Sequence, residues 1–286
     1  MRRGTRPQSE LTRSSLLGIA GTIGCVALLA GCIPSDKTVR ESMALIVSRI
    51  QHADYEGSQL GMQKAYDDLE PFLENPSLVS QARYWRGFAM WRRAVNGFND
   101  GIDADELEKD LQQALNEFQE ATAKSPGLVE AKIGRISCLG YLAFMNRQDP
   151  SRAKEFVNQL LPVVAEVKQA APDNPRFLWV LGPILWNTPA ERGGGQEKAI
   201  ENYEHGLALF EKINAENTDP VEPSWGRPEL MMNLAYSHLN KNKPDVEAAE
   251  LYARSALEIV PNWHYVRDIL LKQILEAQGK STESVE

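Results

Sequence analysis

From residue 38 to residue 277, apolar positions recur at spacings of three and four, and apolar–polar alternation is almost absent. That pattern predicts amphipathic helices and no sheet. Val39 to Ile50 is the simplest case, with Met43, Ile46, Val47 and Ile50 on one face. Further helices are predicted over 61–73, 78–95, 106–124, 129–145, 151–171, 176–186, 196–210, 229–240, 245–259 and 262–277. Breakers separate them: Asn75-Pro76, Asn96-Gly97, Ser125-Pro126-Gly127, Pro172-Asp173-Asn174-Pro175 and Gly193-Gly194-Gly195. Pro162 falls inside one helix and predicts a kink. Residues 216–228 hold Pro220, Pro223 and Pro228 and read as a polar connector, too rich in proline for a helix interior.

The helices carry a second, slower pattern. Ala114, Phe118, Ala121 and Pro126 stand at spacings of four, three and five, and so do Ala249, Ala253, Ala256 and Pro261. Ala199, Tyr203 and Gly206 match the first three. The helices upstream of these carry Gly87, Leu181-Gly182 and Leu234-Ala235. Small residues on both helices of a hairpin, with a closing proline, resemble the tetratricopeptide repeat. The resemblance implies an all-α, tetratricopeptide-like solenoid of helical hairpins over residues 38–278, about five helix pairs plus a C-terminal helix. Departures are visible. Gly87 and Ala114 are far apart, so Asn96 to Glu108 is expected to be an insertion. The step from Gly182 to Ala199 is long, and residues 150–171 fit poorly.

Ahead of the helices lies an address. Arg2, Arg3, Arg6 and Arg13 precede an apolar run, Leu16 to Ala30, that ends in Leu29-Ala30-Gly31-Cys32. A basic start, a short apolar core and small residues before a cut define a secretory signal. The ending resembles the lipobox of bacterial lipoproteins. It implies that residues 1–31 are removed and that Cys32 is lipidated, with 32–37 a short tether. Ile33, which follows that cysteine, implies an outer-membrane address on the periplasmic face. The competing reading is an uncleaved anchor over Leu16–Ile33, at the lower edge of a membrane span. Residues 279–286 are expected to be a flexible tail.

Removing residues 1–31 takes away four Arg and one Glu and leaves 27 basic and 38 acidic side chains, a net charge of −11. That balance argues against nucleic acid and against electrostatic adhesion to anionic lipid. Cys138 is left without a partner and sits among Ile136, Leu139 and Leu142, where a buried small hydrophobe is expected. The four histidines show no metal-ligand spacing. The acids around Gly101 fail as a calcium loop, since Phe98 and Leu107 fall where ligands belong. Gly193-Gly194-Gly195 lacks the Lys and hydroxyl of a phosphate loop and reads as an ordinary flexible turn. No nucleophile–base motif occurs, so neither an enzyme nor a cofactor is expected.

The aromatic residues are the remaining lead. In tetratricopeptide arrays the first helix of each pair lines the concave face. Phased on Gly87, the lining positions hold Tyr84, Phe88, Trp91 and Arg92. Phased on Gly182 they hold Arg176, Trp179, Trp186 and Asn187, and phased on Ala235 they hold Met232 and Tyr236. Each set falls on one helix face. The competing assignment is core, because apolar stripes at helical spacing usually fill it. A second apolar set (Ala82, Trp85 and Ala89; Leu178, Leu181 and Leu185) is available for the core instead. Two functions follow. One is a membrane-anchored scaffold for a protein or peptide partner. The other is an accessory ligand-binding lipoprotein, similar in plan to the T-component of TRAP transporters. An open aromatic groove favours the first and a closed apolar channel the second.

Overall fold

The computed structural model describes residues 36–212 and 219–279. Cys32 and the signal and tether segments before residue 36 lie outside the described residues, as do 280–286. The elements are α1 (Asp36–Tyr55), α2 (Gln59–Asp68) followed by a 3-10 turn (Glu70–Glu74), α3 (Val79–Asp100) and α4 (Ala104–Lys124). Next come α5 (Val129–Met145), α6 (Pro150–Ala170) and α7 (Pro175–Asn187). After a short turn follow α8 (Gln196–Lys212), α9 (Arg227–Asn240) and α10 (Val246–Ile259). A π-helical turn (Tyr265–Leu270) then runs into α11 (Leu271–Ala277). No strand occurs among the described residues. The helices pair as α1/α2, α3/α4, α5/α6, α7/α8 and α9/α10, with α11 closing the series. This is the tetratricopeptide-like arrangement of five hairpins and a terminal helix.

Local chemistry sets the helix starts. Side chains of Ser58, Asp103, Asp149, Asn174 and Asp245 each accept from an otherwise unpaired backbone N–H in the first turn. Small residues then let the hairpins close. A Cβ built on Gly134 would lie 2.4 Å from the Phe118 ring, and one on Gly182 would lie 2.0 Å from the Tyr203 ring. Each ring therefore rests on bare backbone of the neighbouring helix. Ala114, Ala121, Ala199, Ala249, Ala253 and Ala256 are fully buried at the same contacts.

Successive first helices touch one another: α1 with α3, α3 with α5, α5 with α7, and α7 with α9. They form an inner wall, and the second helices lie outside it. The winding brings the ends together. The Tyr55 ring meets Trp263 edge-on at 5.1 Å, and His264 Nε2 lies 3.4 Å from an Asp100 carboxylate oxygen. Glu229 at the start of α9 accepts a hydrogen bond from the Tyr55 hydroxyl at 2.9 Å. The wall thus returns from α9 to α1.

Two sequence expectations change. Asn96-Gly97 does not end α3, which continues to Asp100 and stops at left-handed Gly101. Asn96 to Glu108 is therefore no inserted loop but two lengthened helices joined by three residues. Gly193-Gly194-Gly195 is a tightly bonded turn. Gly193 and Gly195 have φ of +84° and +108°, and the Gly195 N–H donates to the Leu185 carbonyl. A Cβ on Gly194 would lie 2.3 Å from the Thr188 carbonyl oxygen, so this turn requires its middle glycine. In α6, Phe156, Leu160, Val163 and Val167 form one buried stripe on α5. The adjacent Val157 and Leu161 stay exposed.

Candidate peptide-binding groove

The inner wall of α3 and α7 is covered, and the cover is the chain itself. Residues 219–226, between α8 and α9, run without regular helix across this face. Val221 is 0% and Trp225 3% exposed. The Trp225 ring lies 5.4 Å from Phe88, 5.7 Å from Trp91 and 5.5 Å from Trp179, with edge-to-face or tilted geometry. Such pairs add roughly 0.5–1.5 kcal/mol each beyond burial. The Trp225 indole N–H donates to the Tyr84 hydroxyl at 2.9 Å. Trp85, on the same helix, donates its indole N–H to the Val221 carbonyl at 2.7 Å.

Arg176 holds the other half of the segment. Its Nη2 donates to the Pro223 carbonyl at 2.6 Å and its Nε to the Trp225 carbonyl at 2.7 Å. Glu130 on α5, 3.3 Å from Nη1, fixes the guanidinium from behind. Carbonyls 221, 223 and 225 are therefore each taken by a side-chain donor of the wall. Trp179 donates to the Glu229 carbonyl at 3.2 Å, just past the segment. At the rim Asp219 pairs with Arg40, and Gln51 donates to the Ser224 hydroxyl at 2.8 Å, both from α1.

A buried charge cluster lies beside the aromatic one. Arg92, 3% exposed, donates from Nε to both Asp54 oxygens at 2.8 and 2.9 Å. Asn96 also donates to Asp54, at 3.0 Å. Glu229, 1% exposed, accepts from the Gly226 N–H at 2.7 Å as well as from Tyr55. One cation thus faces two carboxylates. Burial first, then the Asp54 charge, pushes the Glu229 carboxyl above its ordinary value, against the pull of Arg92 and the Tyr55 hydrogen bond. Burial works against the Arg92 cation, and the Asp54 and Glu229 charges more than reverse it. These residues tie α1, α3, the connector and α9 together.

The ten expected lining positions therefore divide. Tyr84, Phe88, Trp91, Arg92 and Trp179 do not face solvent, because the connector and α1 bury them. Arg176 is partly buried and already bonded. Trp186 and Met232 are only half-buried, Asn187 is exposed, and Tyr236 is 44% exposed. Asn187 spends its amide on the Pro183 carbonyl of its own helix, at 2.8 Å. The reading of 216–228 as a plain polar connector is corrected for Val221 and Trp225. The signal was slight: Val221 and Trp225 are the apolar residues in an otherwise polar, proline-rich stretch. Cys138 is buried, and burial pushes its thiol up, away from the reactive thiolate. Among the described residues, no group of three or more His, Cys, Asp or Glu is placed to hold a metal ion.

No family model matches the chain, and no curated protein matches it. Solved structures do. The HusA haemophore from Porphyromonas gingivalis superposes with a TM-score of 0.55 at 19% identity, over 74% of this chain and 98% of that one. A thermophilic TPR protein from Thermus thermophilus aligns over 82% of this chain and 98% of its own, at 19% identity and a TM-score of 0.47. At this identity the first likeness shows a shared fold and says nothing of ligand.

Proposed function

We propose that the protein is a scaffold that holds an extended segment of a partner protein against its inner helical wall. In this reading it is not an enzyme. The observation that supports it is the treatment of residues 219–226, whose alternate carbonyls are met by Trp85 and Arg176 and whose Val and Trp side chains enter the wall. Side-chain donors to main-chain carbonyls, with pockets for alternate side chains, are how grooves recognise extended peptides. The wall continues past this segment to Trp186, Met232 and Tyr236, which stay accessible on neighbouring helices α7 and α9. That accessible stretch is the proposed contact for an external partner. The aromatic filling by Trp225 counts against the accessory-ligand reading, since it occupies the space an apolar channel would need.

The scaffold is proposed to stand on the outer membrane's periplasmic face, held by acyl chains on Cys32; two or more chains anchor firmly. Two measurements test the proposal. Palmitate labelling should mark the wild type and spare Cys32→Ser; equal labelling removes the anchor. A photo-crosslinking residue placed at Tyr236 should capture a defined protein in cell envelopes, while the same residue at exposed Leu60 on α2 should not. Identical capture at both positions would sink the scaffold reading.

A further inference from the structure

Among the connections between hairpins, the one at 219–226 is treated as a ligand would be. It makes little structure of its own: the Val221 N–H bonds to the Asp219 side chain and the Glu222 N–H to the Asp219 carbonyl. Pro220 and Pro223 bring no N–H, so the segment has few main-chain donors to satisfy when it lies on a helical wall. Its carbonyls at 221, 223 and 225 all find donors on α3 and α7. Its apolar side chains at 221 and 225 are buried, with Pro223 between them. The wall does not need the segment for its own continuity, since the first helices touch one another directly from α1 to α9.

We infer that residues 219–226 are a tethered ligand that holds this part of the groove closed. We infer also that the groove accepts, in its place, an external extended peptide with the order aliphatic-x-Pro-x-Trp. This inference rests on the scaffold reading and supplies its ligand class. The wall reads that order chemically. Trp85 takes the carbonyl of Val221, where the backbone leaves the Asp219–Glu222 turn, and Arg176 takes those of Pro223 and Trp225 beyond it. The cavity among Phe88, Trp91 and Trp179 takes a flat aromatic ring, and the Tyr84 hydroxyl accepts its N–H, which phenylalanine lacks. Arg40 and Gln51 hold the polar edge from α1. A tethered segment acts at an effective concentration on the order of millimolar. Free peptide at micromolar level therefore meets a closed groove in the intact chain.

The test is complementation in trans with a fluorescent synthetic peptide copying residues 219–226. Trp225→Ala should bind the peptide about tenfold or more tighter than wild type, and bound peptide should raise the variant's melting temperature. A copy of the peptide with Ala in place of its Trp should do neither. Binding to neither chain, or equally to both, overturns the inference. Should Trp225→Ala fail to fold, the double variant Asp219→Ala, Val221→Ala loosens the segment and leaves Arg40 and the aromatic cavity in place. The peptide must then bind that chain about tenfold or more tighter than wild type, and equal binding overturns the inference. The scaffold reading fails separately: peptide binding to the variant stands even if crosslinking at Tyr236 captures nothing, and loss of peptide binding leaves the Tyr236 result untouched.

Discussion

Two stretches of the same inner wall share one helical spacing and meet opposite fates. Around Tyr84, Phe88, Trp91 and Trp179 the wall is sealed, and every one of these rings is under 10% exposed. Around Trp186, Met232 and Tyr236 it is not, and Tyr236 stands 44% exposed. The difference lies in what covers each stretch rather than in the helices. Trp225 reaches Tyr84 across 141 residues of sequence, and Val221 reaches Trp85 across 136. Helical periodicity assigns a side chain to a face. Whether that face is core or surface depends on a segment far away, and here on one that forms no helix.

The sharpest way to break the comparison is to remove the ion that holds the sealed side together. Arg92→Leu leaves Asp54 and Glu229 buried without their cation. Breaking a buried pair by removing one partner costs about 3–5 kcal/mol. At about 2–4 °C per kcal/mol for a domain of this size, the melting temperature should fall by roughly 10 °C. Arg176→Leu removes donors to two backbone carbonyls and leaves one carboxylate, Glu130, that is less deeply buried than Asp54, so it should cost less. If Arg92→Leu melts within a degree or two of wild type, the sealed side is not held by its buried charges.

A second test sharpens the comparison through pH. Glu229 is raised in the folded state above the 4.5 of an ordinary glutamate. A raised carboxyl binds its proton more tightly folded than unfolded. Its contribution to stability is therefore complete below 4.5 and is lost as pH rises through the higher folded value. In Glu229→Gln the group no longer titrates, while the amide can still accept from Gly226 and donate to the Tyr55 oxygen. Urea midpoints of wild type and variant, compared from pH 8 down to pH 4.5, should show wild type gaining on the variant as pH falls. A constant difference over that window would remove Glu229 as the titrating group.

What the chain disclosed in advance follows from range. The limits of α5 match the periodicity residue for residue, since caps and breakers act within a few positions. Two small-residue seats were legible too: Gly87 lies against Phe118 and Gly182 under Tyr203, the kind of close approach their spacing implied, while Gly134, also under Phe118, was not singled out. The longer α3 was missed because Asn96-Gly97 is a strong local stop signal. Asn96 instead donates to the Asp54 carbonyl and side chain, and Gly97 packs against Leu107 and Ile102, so tertiary contacts keep the helix going. The strap was missed because prolines mark a break in helix without saying where the broken segment lies. The accessible side of the wall was visible only as a set of positions, with nothing to separate Trp186 from Trp179.

Trp186, set against Trp179, gives the smallest expected effect and the most direct contrast. Trp179 and Trp186 lie seven residues apart on α7, two turns along one face. Trp179 is 7% exposed, meets Trp91 and Trp225, and donates to the Glu229 carbonyl. Trp179→Ala should therefore cost about 3–5 kcal/mol of stability, as a buried Trp does. Trp186 is half-buried against the core and has exposed Asn187 beside it. Its truncation removes less buried area and should cost about 1 kcal/mol, within the ordinary range of point substitutions. If the open stretch is where a partner docks, Trp186→Ala should still lower partner recovery, because interface hot spots lose roughly 2 kcal/mol or more on truncation. Thermal melts and envelope pull-downs on the two variants separate the alternatives. A melt for Trp186→Ala as low as that for Trp179→Ala would place both tryptophans in the core and leave Tyr236 and Met232 as the whole accessible lining. A normal melt with undiminished recovery would move the partner surface off the inner wall.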